Sequence, residues 1–198
     1  MYDIIIIGTG PAGLTSLLYC VHYGLHAVGI GELIGGKFLH APDAIDYPGI
    51  PNLKGPEFIQ NLQKQLQEKQ ATIIQDGVLM VKKENGVFLV ATKTGQSYQS
   101  RALIIATGNG KKERENTAEK IGNQLSIELL DGKVKVGPIG DTSVPGVFAA
   151  GDCLAYPYSL EQLGVATATG ISSAAGVYQY LKNEKSPILW GSSKIPRR

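Results

Sequence analysis

The sequence is poor in the residues that carry most thiol and metal chemistry. Its 198 residues include two cysteines, three histidines and one tryptophan. Cys20 and Cys153 are far apart, so no Cys-x-x-Cys pair encodes a dithiol centre or a zinc site, and no metal is expected. Cys20 falls inside a helical stretch and reads as a small buried hydrophobe. Cys153 reads as a packed thiol at a strand-to-helix turn, with a reactive role as the alternative. His22 and His26 flank a helix end as solvated or capping groups, and His40 lies in a loop.

An excess of either charge is also missing. Nineteen Lys and Arg against 17 Asp and Glu leave a net charge of +2, too little to imply nucleic acid or an anionic membrane as partner. No apolar run approaches the roughly 18–20 residues of a membrane span, and Ile4-Ile5-Ile6-Ile7 has no signal-peptide surroundings. The expected location is the cytoplasm. The 43% hydrophobic and 18% charged content suits one globular domain with a sizeable core. No internal repeat divides it.

Glycine is abundant, at 25 residues, as suits a backbone that approaches a phosphate-bearing ligand. Residues 2–8 read as a buried parallel strand, because a continuous apolar run bounded by glycine suits a strand covered on both faces. Residues 11–23 read as a helix with Leu14, Leu17, Leu18 and Val21 on its apolar side, closed by Gly24. A strand at 27–30 leads into residues 31–51, too irregular for a regular element and of a length that is usually functional. Residues 55–70 form an amphipathic helix with Phe58, Ile59, Leu62 and Leu66 on one face, followed by a strand at 71–74. Alternation at 77–82, 87–94 and 97–100 predicts an antiparallel meander with turns at Glu84-Asn85-Gly86 and Thr94-Gly95-Gln96. A separate buried strand is expected at 102–106 and a charged connector at 111–120. A hairpin follows at 127–130 and 133–136, turning at Asp131-Gly132. A short core strand at 147–150 and a long helix at 159–181 precede a tail ending in Lys194, Arg197 and Arg198, read as a solvated terminus or a docking patch for an acidic electron carrier.

Gly8-Thr9-Gly10-Pro11-Ala12-Gly13 is a G-x-G-x-x-G placed between the first strand and the first helix, the context that gives the motif meaning. Its glycines permit a tight turn and close approach of backbone to a pyrophosphate, whose charge the helix N-terminus favours. The acidic residue expected after the second strand is Glu32, one position later than usual, with Gly31 in its place. It reads either as a ribose ligand or as a solvated carboxylate.

These pieces resemble the thioredoxin reductase family, including the ferredoxin–NADP reductases built on the same scaffold. The resemblance rests on the Gly8 to Gly13 motif, Gly35-Gly36, Asp46-Tyr47-Pro48-Gly49, the run from Leu103 to Ala106-Thr107-Gly108, the stretch 142–152 ending in Ala150-Gly151-Asp152, and 162–170. It implies an α/β, Rossmann-like three-layer FAD-binding domain with a parallel sheet and a small antiparallel β-meander. It also implies which residues face FAD. Gly8, Gly10, Pro11, Ala12 and Gly13 lie at the pyrophosphate, and Glu32 at the ribose. Gly35, Gly36, Lys37 and Asp46 wrap the flavin–ribityl region, and Val78 offers backbone to the adenine. Ala106, Thr107, Gly108, Gly151 and Asp152 line the ribityl and pyrophosphate side. Gln162 and Leu163 start a helix whose amides point at the flavin N1 and O2, where reduced flavin accumulates negative charge.

Departures from the family pattern matter equally. Only the 33 residues 109–141 separate Gly108 from the second signature, too few for the nicotinamide-binding domain that relatives build there. The expected organisation is therefore one FAD domain over residues 1–182, with a bypass at 109–126 and a tail at 183–198. The family's dithiol normally lies in that missing domain, so thioredoxin reduction by the family mechanism is excluded. Lys37 stands where glutamine is common, and Glu161 where arginine is common. Trp190 is either an anchor for the tail or, as in the ferredoxin–NADP reductase branch, a ring set against the flavin. The reading is a flavoprotein oxidoreductase that pairs as a homodimer through helix faces such as that of Phe58, Leu62 and Leu66, with an electron donor or acceptor supplied by a protein partner or a small molecule. The alternatives are a non-catalytic or sensory FAD module and an FAD subunit docking on a separate nicotinamide-binding chain.

Overall fold

The computed structural model describes residues 1–110, 117–155 and 160–188. The elements in chain order are β1 (Tyr2–Ile7), α1 (Pro11–His22), β2 (Ala27–Ile30), α2 (Gly55–Glu68), β3 (Thr72–Ile74), β4 (Val78–Glu84), β5 (Val87–Thr92), β6 (Ser97–Ile105), α3 (Thr117–Leu125), β7 (Leu129–Leu130), β8 (Lys133–Val134), β9 (Val147–Ala149) and α4 (Leu163–Lys182). Among the described residues seven strands form one mixed sheet, and β7 pairs with β8 in a separate hairpin. Trp190, Lys194, Arg197 and Arg198 lie outside the described residues, as do 111–116 of the expected connector.

β6 organises the sheet. Its first half pairs antiparallel with β5, from Ser97 opposite Ala91 to Ser100 opposite Phe88. Its second half pairs parallel with β9, from Leu103 opposite Val147 to Ile105 opposite Ala149. Along its other edge it runs parallel to β1, Ile4 opposite Ala102 and Ile7 opposite Ile105. The parallel part therefore runs β3-β2-β1-β6-β9, and β4-β5-β6 is the meander. This corrects the expectation of two strands at 97–100 and 102–106. Arg101 reads as a polar break, but it keeps its side chain at the surface beside Asp3, 3.5 Å away, and nothing there interrupts the backbone.

Alternation along the strands divides the core into two layers. Ile4, Ile6, Ala102 and Ile104 pack with Leu14, Leu17 and Leu18 of α1, with Ile59, Leu62 and Leu66 of α2, and with Ala174 and Val177 of α4. Ile5, Ile7, Leu103 and Ile105 face Val81, Phe88 and Val90 of the meander and Ala118, Ile121 and Leu125 of α3. The result is helices, sheet and meander in three layers. Two turns have the left-handed pairs that a tight hairpin needs, Asn85 and Gly86 at φ 49° and 80°, and Asp131 and Gly132 at 51° and 72°.

Three further expectations change. Residues 117–120 belong to α3, whose Ala118, Ile121 and Leu125 spacing seats it on the second core layer. Gln124 of α3 accepts the Val81 N–H at 2.9 Å, which blunts the outer edge of β4. The last helix starts at Leu163, after Glu161 at φ 53°. The α2 face offered as a dimer surface is covered within the chain, with Ile59, Leu62 and Leu66 buried and Phe58 against Phe38 at 5.6 Å.

Candidate cofactor site

The parallel sheet reverses its order between β1 and β6, and that switch point is where a ligand-binding crevice forms in such folds. Gly8, at φ 108°, ends β1 there, and a Cβ on it would lie 2.2 Å from the Ala106 carbonyl oxygen. A Cβ on Gly13 would come within 1.9 Å of the Gly8 carbonyl. Both positions therefore demand glycine, one to bring two strand ends together and one to bring α1 onto the strand. Gly10 is different. Its nearest neighbour to an added Cβ is Gly36 Cα at 4.0 Å, so the space above it is open.

The first turn of α1 has Gly10 as N-cap, with proline in the first turn, no acidic side chain and no side-chain cap. Its positive end is left for an external anion. Thr9, buried between the two glycines, braces the loop from the inside. Its hydroxyl donates to Leu33 O at 3.1 Å and its carbonyl accepts from Gly35 N–H at 2.7 Å. Gly35 and Gly36 are thus fastened beside Gly10. From the other side, Gly151 N–H donates to Thr169 Oγ1 at 2.9 Å, and a Cβ on Gly151 would meet Ala12 Cβ at 2.8 Å. Gly170 lets α4 pass close to Ala12, within 2.6 Å of its carbonyl for an added Cβ. Gly8, Gly10, Pro11, Ala12, Gly13, Gly35, Gly36, Ala106 and Gly151 converge on one cradle.

Thr107 carries a further signature. Its Oγ1 is buried and has no hydrogen-bond partner, alone in this among the described residues. A buried hydroxyl without a partner loses about 1–3 kcal/mol, and such atoms are few in native structures. Together with the open space over Gly10, it leaves room and an unused hydrogen-bonding group for a polar ligand.

Asp152 is half-buried behind the cradle. Burial holds its carboxyl above the ordinary value, the Glu161 carboxylate raises it further, and Lys37 and Lys133 oppose both. Lys37 is therefore within electrostatic reach of Asp152 although its side chain is exposed. Gln162 is the N-cap of α4, and Leu163 packs with Ala44 and Leu53 of the long loop. Both cysteines are packed thiols. Cys153 donates towards the Ile105 and Ala150 carbonyls, and burial raises its thiol to about 12; burial raises Cys20 as well.

Glu32 follows β2, and Val78 starts β4. Glu32 pairs with Lys93 at 2.5 Å with both groups exposed, and Gly77 makes room for that pair, since an added Cβ would stand 2.3 Å from Glu32 Oε1. Asp76, missed in the sequence, shapes the approach to Val78. Its carboxylate accepts from Gly77 N–H at 2.7 Å and from the Thr94 hydroxyl, and Thr94 and Thr92 hold it below the ordinary carboxylate value. Asp46 is an exposed residue of the loop before α2, and His40, also exposed, ends a short 3-10 turn over Gly36–His40. Thr9, Thr169 and Asn109 were also missed. A threonine inside G-T-G could have been noticed for its brace, whereas Thr169 and Asn109 act through partners 18 and 52 residues away.

A family model described as pyridine nucleotide-disulphide oxidoreductase matches residues 2–118. The chain is 32% identical to the thioredoxin reductase of Peptoclostridium litorale over 73% of this chain and 49% of that protein. It is 33% identical to the ferredoxin–NADP reductase of Streptococcus mutans over 56% of this chain and 35% of that protein. The chain thus spans half or less of the length of these relatives. Its fold aligns with a thioredoxin reductase structure from Gloeobacter violaceus at a TM-score of 0.84 and 18% identity, covering 96% of this chain and 99% of that one. Among the described residues no helix is long and apolar enough to cross a membrane.

Proposed function

The chain belongs to the pyridine nucleotide-disulphide oxidoreductase family, and from that premise we propose that it is a thioredoxin reductase-like flavoprotein that binds FAD and exchanges electrons through it. The observation that carries the proposal is the cradle at the switch point, where Gly8 and Gly13 tolerate no side chain and the space over Gly10 is open. Gly8, Gly10, Pro11, Ala12 and Gly13 would hold the pyrophosphate at the start of α1. Glu32 and Val78 would take the adenosine end. Gly35, Gly36, Lys37, Asp46, Ala106, Thr107, Gly108, Gly151 and Asp152 would line the ribityl–flavin side, and the backbone at Gln162 and Leu163 would face the ring. When bound, FAD supplies the redox chemistry, and these residues bind it, orient it and set the charge around it.

The same reading treats residues 1–182 as one FAD domain and 109–126 as a bypass of the nicotinamide domain. Only residues 109–116 lie between Gly108 and α3, too few for another βαβ unit, whose crossover alone takes at least about 10–12 residues. The electron donor or acceptor is then a partner protein or a diffusing molecule, and the expected setting is cytoplasmic. Homodimerisation belongs to the proposal too. It leans on Ile45 and Ile50, 84% and 45% exposed in the loop before α2, because the α2 face is already covered.

The test is spectroscopic. The purified protein should show flavin absorption, take up stoichiometric FAD, and be reduced slowly or not at all by NADPH or NADH alone. A colourless protein that takes up no added FAD would end the reading. Rapid bleaching by a nicotinamide in stopped flow would refute the bypass.

A further inference from the structure

Asn109 and Glu161 are 52 positions apart in the chain, yet Asn109 Nδ2 donates to Glu161 Oε1 at 2.5 Å. Asn109 follows Gly108, whose φ of 70° turns the backbone away from β6. Glu161 precedes Gln162, the N-cap of α4. Its own φ of 53° is left-handed, a conformation that a non-glycine residue keeps only where its surroundings hold it. The bond therefore ties the turn after β6 to the start of α4, where the FAD reading puts the flavin ring. The partnerless Thr107 hydroxyl stands two residues from Asn109 on the same turn.

We propose that Asn109 and Glu161 form a clasp that seats the start of α4 against the β6 turn and fixes a negative charge at the ring end of the FAD site, holding the bound flavin at a lower potential than an uncharged pair would. The inference rests on the FAD reading above, and both residues are positioning residues. α4 is 20 residues long with no acidic residue in its first turn, so its positive end alone would favour the negative charge of reduced flavin. A carboxylate just before the N-cap opposes that preference. Its reach into the site is visible at Asp152, which Glu161 pushes in the direction of protonation while Lys37 pulls the other way. Lys37 and Glu161 thus act on the same space from two segments with opposite signs.

The experiment compares the wild-type protein, Glu161→Gln and Asn109→Ala. FAD affinity is read by titrating apoprotein with FAD, and the potential by dithionite titration against a reference dye at low ionic strength. Glu161→Gln keeps an oxygen that can accept from Asn109 but removes the charge. It should hold FAD about as tightly as wild type and raise the reduced-to-oxidised ratio at a fixed potential about threefold. At 29.6 mV per tenfold for a two-electron couple, that is a rise of about 14 mV, and the shift should shrink in high salt. Asn109→Ala keeps the charge but releases the turn, and FAD affinity should fall several-fold. An unmoved potential in Glu161→Gln, or an unmoved affinity in Asn109→Ala, overturns the clasp while leaving the FAD reading intact. A wild-type protein that binds no FAD overturns both.

Discussion

Replacing Thr107 by valine separates a ligand-site hydroxyl from a structural one, because the two roles predict opposite signs. Valine has nearly the same shape as threonine but lacks the Oγ1 that is buried without a partner. In the apoprotein the change removes an unsatisfied polar group, whose penalty is about 1–3 kcal/mol. For a chain of this size each kcal/mol moves Tm by about 2–4 °C, so apo Thr107→Val should melt roughly 2–12 °C higher. If the hydroxyl finds its partner on FAD, the variant loses a hydrogen bond worth a net ~0.5–1.5 kcal/mol, and affinity should fall roughly two- to twelvefold. Differential scanning fluorimetry of the apoprotein and fluorescence titration with FAD measure the two effects on one preparation. An apoprotein that melts lower, or an unchanged FAD affinity, would refute the reasoning.

Three other substitutions probe the site from different directions. Lys37→Gln removes an exposed ammonium within reach of Asp152; at about 0.5–1 kcal/mol for a partly screened charge it should lower the flavin midpoint potential by roughly 10–20 mV, and an unchanged midpoint at low salt would place Lys37 in solvent. Asp152 is held above its ordinary value by burial first and by Glu161 second, so folding takes up a proton there, and its contribution is favourable at low pH and lost as pH rises through the folded value. Apo Asp152→Asn, neutral throughout, should melt higher than wild type at about pH 7 and lose that advantage near pH 4; an equal gain at both would show that charge is not the cause. Gly13→Ala drives a Cβ to within 1.9 Å of the Gly8 carbonyl, which should cost at least about 1–3 kcal/mol and abolish FAD uptake, read as a lower urea midpoint and a colourless protein.

The elements legible in the sequence are those whose signals are local. The run of isoleucines before the glycine motif, the helix closed by Gly24, and the turns at Asn85-Gly86 and Asp131-Gly132 each carry their own stop signal, and the structure places them within a residue or two of expectation. β6 was divided because Arg101, between the polar Ser97-Tyr98-Gln99-Ser100 and the apolar Ala102-Leu103-Ile104-Ile105, looks like a boundary. Whether it is one depends on the three strands that claim the two halves, which no window along the sequence contains. α3 was missed for a related reason. The charged run Lys111-Lys112-Glu113-Arg114-Glu115 ahead of it dominates the surrounding sequence, while its three apolar contacts matter only because Val81, Phe88 and Val90 offer a surface for them.

The site divides in the same way. Glycines that admit no Cβ are visible in sequence because only one residue type fits, so the tightly packed Gly8 and Gly13 could be named from the motif. The electrostatics around Asp152 could not, since Lys37, Lys133 and Glu161 reach it from three separate segments and their net effect is a matter of distance. Glu32 shows how a motif can leave contact undecided. Its place after β2 suggests a ribose ligand, yet it is engaged by Lys93 across the turn that follows β5. Both groups are exposed, so that pair contributes little and can exchange for a ribose at small cost. The motif thus fixes where the carboxylate stands, and the groups that fold back onto it decide what it holds.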